Sequence, residues 1–281
     1  MSSVSNAAGA PEAAATRRPR TDLLAPKQEI PRPAYLTASA ITATTVIGMW
    51  CLLSYGGFVR GDFLPAPDVV AATGARMIAD GSLLGHMATS VGVIFSGFFL
   101  ASILAIPLGI MMGSFRLVEA VVEPITNFMR YLPVTALIPL LILWIGIGIE
   151  QKIAVIFLGT FFQQIILISD VSRRVPKDLI DSAYTLGATR KQAVLRVLLP
   201  ATYPGVMDTL RVTMGWAWTY LVVAELVAAQ SGLGYMILQA MRGLFTDVIF
   251  LGILTIGLLG LASDQALKAL RNRLLPWARE R

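Results

Sequence analysis

An all-α, polytopic membrane fold of six transmembrane helices is the class this sequence predicts, on three observations. Of its 281 residues, 56% are hydrophobic and only 14% charged, against roughly 25% charged in soluble domains. The mean hydropathy is +0.69, and the apolar residues gather in blocks near the ~20 residues that a helix needs to cross a bilayer. Lys and Arg fall between those blocks and concentrate on one side of them. Membrane lipid is therefore the expected solvent. The net charge of +6 reads as membrane topology and not as a nucleic-acid surface, because a basic stripe needs a soluble face to sit on.

The elements follow in chain order. Residues 1–34 mix Ala, Pro, Ser and charge, with Arg17, Arg18, Arg20, Lys27 and Arg32, and read as a disordered cytoplasmic tail. The first apolar block, 36–55, begins too far along the chain for a secretory signal and is expected to stay as the first span. Phe63 to Val70 (FLPAPDVV) is a Pro-rich turn, and an amphipathic stretch continues to about His86; both are expected at the outer face. Further blocks at 88–113, 119–148, 151–171, 206–229 and 246–268 supply five more helices. In the block 119–148, Pro133 and Pro139 remove backbone donors and should bend or break the helix, leaving a useful span of 133–148. The transmembrane domain is thus placed at 35–275, with a cytoplasmic C-terminal tail at 276–281.

Orientation follows from the basic residues. The tail, Arg116, the loop after the fourth helix (Arg173, Arg174, Lys177, Arg190, Lys191, Arg196) and the C-terminus (Lys268, Arg271, Arg273, Arg279, Arg281) lie on one side, with Arg60, Arg76, Lys152 and Arg242 opposite. Both termini are expected in the cytoplasm.

Chemistry of other kinds finds little support. Cys51, the single cysteine, lies in an apolar run, so neither a disulfide framework nor a zinc cluster is expected. His86, the single histidine, opens the second helix and reads as a surface or capping residue. Asp208 and Arg211, three apart on one helix, are expected to neutralise each other near the inner surface, with a gating role as the alternative. Glu225 lies about 25 Å further along the same helix; an ionisable group there serves either a structural hydrogen bond or the pathway. Trp144, Trp216, Trp218 and Tyr220 read as packing or interface aromatics, with lining of the pathway as the alternative. Gly215 and Ala217 are expected to let helices approach closely. The pair Gly146 and Gly148 should end the third helix and the SGLG turn (Ser231 to Gly234) should break the chain after the fifth.

One loop is too long and too polar for a connector. It runs over 173–204 and contains VPKDLIDSAYTLGATRKQAVLRVLLPATYPG. The pattern predicts two short helices, Pro176 to Leu186 and Thr189 to Leu198, separated by Gly187 and stopped by Pro200. Asp178 and Asp181 suit the positive end of the first helix, and Leu179, Ala183 and Leu186 share a face. A compact knob results, with small residues Ser182, Ala183 and Ala188 able to enter a partner's groove.

Asp181-Ser182-Ala183, Gly187 and Val197-x-Leu199-Pro200 resemble the EAA loop of ABC importer permeases, with Asp for the acid, Ser for the first alanine and Val for the isoleucine. Over roughly 60–275, the segments LPAP (Leu64 to Pro67), PLG (Pro107 to Gly109), LIPLLILWIGIG (Leu137 to Gly148), AEL (Ala224 to Leu226) and SGLGY (Ser231 to Tyr235) are similar to permeases of the nitrate, sulfonate, taurine and bicarbonate uptake group. The resemblance implies a type I ABC importer permease fold in the bacterial inner membrane. It also implies a second permease chain, as a homodimer or with a different permease, two ABC ATPase subunits and an extracytoplasmic solute-binding protein. The coupling residues carried over are Asp181, Ser182, Ala183, Gly187, Ala188, Val197, Leu199 and Pro200. The chain has no phosphate loop of the form GxxxxGK[ST], so ATP and Mg are expected on the partner ATPase, and the chain is not expected to be an enzyme. The rival readings are a gradient-driven secondary transporter, which calls for acids near the membrane midplane, and an intramembrane enzyme, for which no catalytic set stands out.

Overall fold

The computed structural model describes residues 31–278, and every regular element among them is a helix. Residues 1–30 of the expected tail and residues 279–281 at the C-terminus lie outside the described residues. The chain divides into two units, Met1–Trp50 and Cys51–Arg281.

The described part of the first unit is most of α1 (Arg32–Tyr55), apolar along its length and without a buried residue. Thr37, Thr42 and Thr45 turn their hydroxyls back onto carbonyls of their own helix, which satisfies polar groups that lipid cannot.

The second unit opens with α2 (Pro67–Ala79), started by the proline of LPAP at its first position. Gly81, with φ 78°, turns the chain, and the Asp80 carboxylate accepts the Ser82 amide at 2.8 Å, capping α3 (Ser82–Ser114). Thr73 of α2 donates to Asp247 at 2.6 Å. At 33 residues, α3 is about 50 Å long.

The centre of the unit is the pair α3 and α6 (Ile149–Arg173). Every fourth residue of α3 is small along Gly97, Ala101, Ala105, Gly109 and Gly113, a stripe on one helical face. A Cβ at Gly97 would stand 2.8 Å from Ile156 and one at Gly109 2.8 Å from Ile168; at Gly113 it would overlap the Ser169 carbonyl. In lipid, helices gain nothing from hiding apolar area from each other, so close backbone approach and dispersion must hold them. Ile94, Phe98, Ile156, Ile168, Met214, Trp218 and Leu221 complete the core, the last three from the long helix at Leu199–Ala228.

The block 119–148 forms α4 (Arg116–Tyr131) and α5 (Val134–Ile145), bent by 95°. The break sits at Leu132 and Pro133, both extended; the proline ring drives the residue before it out of the helical region. Pro139 lies inside α5 without ending it. With 12 residues, α5 is about 18 Å long and does not span a bilayer alone, which corrects the expected span of 133–148. Gly146, with φ 92°, ends it as expected.

Past the loop, α7 (Lys177–Thr185) and α8 (Arg190–Ala193) precede a π-helical turn, Val194–Leu198, that runs directly into α9 (Leu199–Ala228). Pro200 therefore does not stop the helix, contrary to expectation. The Leu199 amide already reaches back five residues to Val194, and a proline one position later has no amide to lose from that shifted ladder. After the SGLG turn come α10 (Leu233–Arg242), not foreseen from sequence, and α11 (Thr246–Leu274), closed by a 3₁₀ turn at Pro276–Ala278.

Among the described residues, four helices are long and apolar enough to cross a membrane: α1, α3, α6 and α11, or five spans if α4 and α5 count as one. The fifth expected block, 206–229, falls on α9, long enough at 30 residues but interrupted by Asp208, Arg211 and Glu225.

Candidate functional site

The knob is built by local signals. Gly187, with φ 81°, ends α7: its amide donates to Tyr184 O at 2.9 Å, and the Ala188 amide to Ala183 O at 3.0 Å. That pair of bonds is the Schellman closure, which a left-handed glycine favours. Thr189 then accepts the Gln192 amide while Gln192 Oε1 accepts the Thr189 amide at 2.8 Å, a capping box that restarts the helix.

The knob has two faces. Ile180, Ala193, Val194 and Leu198 turn inward and pack on the membrane body. Leu179 (47% exposed), Tyr184 (46%), Leu195 (50%) and above all Leu186 (88%) turn outward. Asp181, Ser182 and Gly187 are exposed, and Ala183, Ala188, Val197, Leu199 and Pro200 are half-buried. Asp181 pairs loosely with Lys177 at 3.9 Å. A Cβ on Gly187 would meet nothing within 4 Å, so the chain itself leaves that position open. Between the faces lies a cleft of about 350 Å³ lined by Gly113, Ser172, Ile180, Tyr184, Arg190 and Val194, with the Arg190 guanidinium 5.2 Å over the Phe115 ring.

The base of the knob is pinned. Arg173, expected to mark orientation only, holds Glu119 at 3.1 Å and Glu123 at 3.6 Å on α4. Ser114 and Ser172 bond at 2.8 Å between α3 and α6. Asp208 and Arg211 do not chiefly neutralise each other, being 4.0 Å apart. Arg211 instead makes a two-point bond to Asp264 of α11 at 2.9 and 3.0 Å, and Asp208 pairs with Arg271 at 3.1 Å. A bidentate guanidinium–carboxylate pair outcompetes a long i,i+3 pair.

Glu225, at the far end of α9, belongs to a separate buried network. Its carboxylate accepts the Ser90 hydroxyl at 2.9 Å and the Gly234 amide at 2.8 Å, while the Ser90 oxygen accepts the Leu233 amide at 2.8 Å. The carboxylate thus caps the N-terminus of α10, where the helix dipole favours it. The AEL and SGLGY segments thus meet. A Cβ on Gly232 would fall on the Glu225 carboxylate. Of the two readings of His86, surface or capping, the contact is a capping one: half-buried, its Nδ1 accepts the amide of Gly232, the N-cap residue of α10, at 3.3 Å. Nor does Lys152 lie in an outer loop: it is 2% exposed in α6 and donates to Ser231 O at 3.0 Å.

The remaining sequence candidates stay apart. Trp216 is 38% exposed and Trp218 is buried in the core. Gly215 has open space around it and brings no helices of this chain together among the described residues, while Ala217 is fully buried. Sequence reasoning missed Ser90, Asp264 and the α3 stripe; the four-residue spacing of the stripe was the one signal that pointed to it.

Comparison with known proteins gives a consistent picture. The family described as "binding-protein-dependent transport system inner membrane component" matches residues 105–276. A probable ABC transporter permease protein of Brucella melitensis is 39% identical over 231 residues, 82% of this chain and 93% of that protein. The taurine transport system permease protein TauC of Escherichia coli is 33% identical over 252 residues, 88% of this chain and 92% of that one. Among solved structures, the MetNI methionine ABC transporter in inward-facing conformations superposes with a TM-score of 0.56 at 23% identity, covering 66% of this chain and 95% of that one, which speaks for the fold.

Proposed function

The chain belongs to the family of binding-protein-dependent transport system inner membrane components, and from that premise we propose that it couples ATP hydrolysis to the import of a small anion through the knob at 173–204. As an ABC importer permease it is a membrane subunit, with the ATPase and the solute-binding protein as separate partners. ATP and Mg then reside on the ATPase. The cargo is of the sulfonate or taurine kind, with nitrate and bicarbonate the neighbouring alternatives; the likeness to a taurine permease supports the sulfonate. Two copies of the chain form the pathway, since one bundle supplies only half of it. Both termini lie in the cytoplasm of a bacterial cell, a placement supported by the distribution of Lys and Arg.

The observation that carries the coupling reading is Leu186. It stands 88% exposed beside the glycine closure at Gly187 and the capping box at Thr189, and an apolar side chain held in that way is a docking contact. The test is co-purification of the chain with its candidate ATPases. Leu186→Glu gives up little burial within the chain, so its melting temperature in detergent should stay near that of the wild type while the ATPase is released. Changes at Asp181 and Ala183 should weaken the same complex. Gly187→Trp adds bulk and a left-handed strain of about 1–2 kcal/mol and should uncouple the ATPase. A Gly187→Trp variant that is stable and fully active sinks the reading. Persistence of transport after ATP depletion, with the ion gradient held, would instead favour the secondary transporter.

A further inference from the structure

We propose that the break between α4 and α5 holds an anion site within the membrane domain, with Arg130 as its binding residue. The inference rests on the importer reading above and adds to it a place where the cargo is held on its way through.

A cavity of about 240 Å³ opens at the break, lined by Arg130, Pro133, Thr135, Gly159, Gln163 and Tyr220. Its depth follows from the packing of α4 on α6. Glu119 of α4 lies beside Arg173 at the inner end of α6, and eleven residues on, Arg130 shares the cavity with Gln163. The two helices therefore run antiparallel. Gln163 lies near the middle of α6 (Ile149–Arg173), about 15–20 Å of helix from either end.

A guanidinium at that depth is costly and calls for a partner. Arg173, Arg211 and Arg271 each hold a carboxylate. Arg130 holds none among the described residues: it donates to the Tyr131 hydroxyl at 3.0 Å and lies 4.7 Å over the same ring. Its Nε is buried and makes no hydrogen bond among the described residues. A buried N–H left without an acceptor is destabilising unless something else occupies the site.

The backbone adds to the same polarity. No side chain caps the N-terminus of α5, and its first residues, Val134 and Thr135, line the cavity. A broken helix presents its positive end there, the arrangement by which discontinuous membrane helices receive anionic groups. Gly159 makes room for the aromatic wall: a Cβ would stand 2.6 Å from the Tyr220 ring. The site thus offers a fork of N–H donors, a helix end and an aromatic face in a space sized for a small organic anion. A sulfonate or carboxylate with a short tail fits that chemistry, and so does the phosphate of a lipid headgroup; the tests below separate them.

The assay uses the assembled complex of permease, ATPase and binding protein in vesicles, with taurine as the probe. Arg130→Gln should still co-purify with the ATPase and should cut taurine uptake about tenfold or more, the loss expected of one charge-assisted bond. Arg130→Lys should fall between, since it keeps the charge and loses the fork. Wild-type uptake by Arg130→Gln overturns the site and leaves the importer reading standing. A wild-type complex that moves neither taurine, nitrate nor bicarbonate overturns both.

A second measurement keeps Arg130 in place, should its replacement fail to assemble. Thr135→Cys in a Cys51→Ser background gives a single reactive thiol at the cavity wall. Taurine should slow its modification by a charged methanethiosulfonate reagent severalfold. No slowing overturns the site, and so does slowing by phosphatidylglycerol in the surrounding nanodisc without any effect of taurine, which would assign the cavity to a lipid headgroup.

Discussion

Glu225 is a carboxylate in a membrane helix, fully buried, and its position is explained by what it satisfies. One side chain accepts the Ser90 hydroxyl and the Gly234 amide, and Ser90 in turn accepts the Leu233 amide. Glu225→Ala would leave a hydroxyl and an amide buried without their acceptor, at about 1–3 kcal/mol for each such group. Glu225→Gln keeps an acceptor oxygen and the shape, and should cost less. The expected order of melting temperature in detergent is therefore wild type, then Gln, then Ala, with ATPase co-purification retained because the knob is remote. An Ala variant that melts with the wild type would show the network to be unimportant for stability. The sequence pointed to Glu225 as an anomaly in an apolar run, but not to its partners, since Ser90 lies 135 residues away and cross-helix contacts leave no trace in local pattern.

At the level of elements, the contrast between the knob and the helix core explains what was legible. The knob's turns are set by near neighbours: Gly187 for the left-handed cap, Thr189 and Gln192 for the box. Such signals lie side by side in the chain, so the loop could be read almost to the residue, apart from the π turn that carries the helix past Pro200. The bend at Pro133 was legible for the same reason. By contrast, α10 is short and amphipathic, and periodicity over so few residues is a weak signal. Glycine shows the limit plainly. Gly109 and Gly215 both sit in membrane helices, yet a Cβ at Gly109 would stand 2.9 Å from the Ile165 carbonyl oxygen, whereas at Gly215 it meets nothing within 4 Å. Gly109→Val should therefore force α3 off α6 and lower the yield of folded protein in the membrane. Gly215→Ala should be neutral or stabilising by up to about 1 kcal/mol, the helix-propensity gain. Thermal unfolding of both variants in detergent decides the matter, and equal effects would mean that the small-residue stripe does not hold the pair together.

Across the whole molecule, α9 is the element that reaches from the knob to the Glu225 network. The helix runs on from α8 through the π turn without a break, so a displacement of the knob has a stiff lever to act on. Along that lever, Arg211 and Asp208 clamp α9 to Asp264 and Arg271 of α11. If the clamp makes the two helices move as one body, its charges matter by pairing and not by identity. The side chains of Arg211 and Asp264 are about a third exposed, at 27% and 34%, so screening limits their contribution to stability to about 1 kcal/mol. The larger consequence lies in coupling. Arg211→Asp places like charges against Asp264 and should lower taurine uptake per ATP hydrolysed in the reconstituted complex. Adding Asp264→Arg restores an opposite pair in reverse and should recover much of the lost uptake, a positive interaction in a double-mutant cycle. A reversed pair no better than the single Arg211→Asp change would mean that α9 and α11 need not move together, and the lever would then end at the knob.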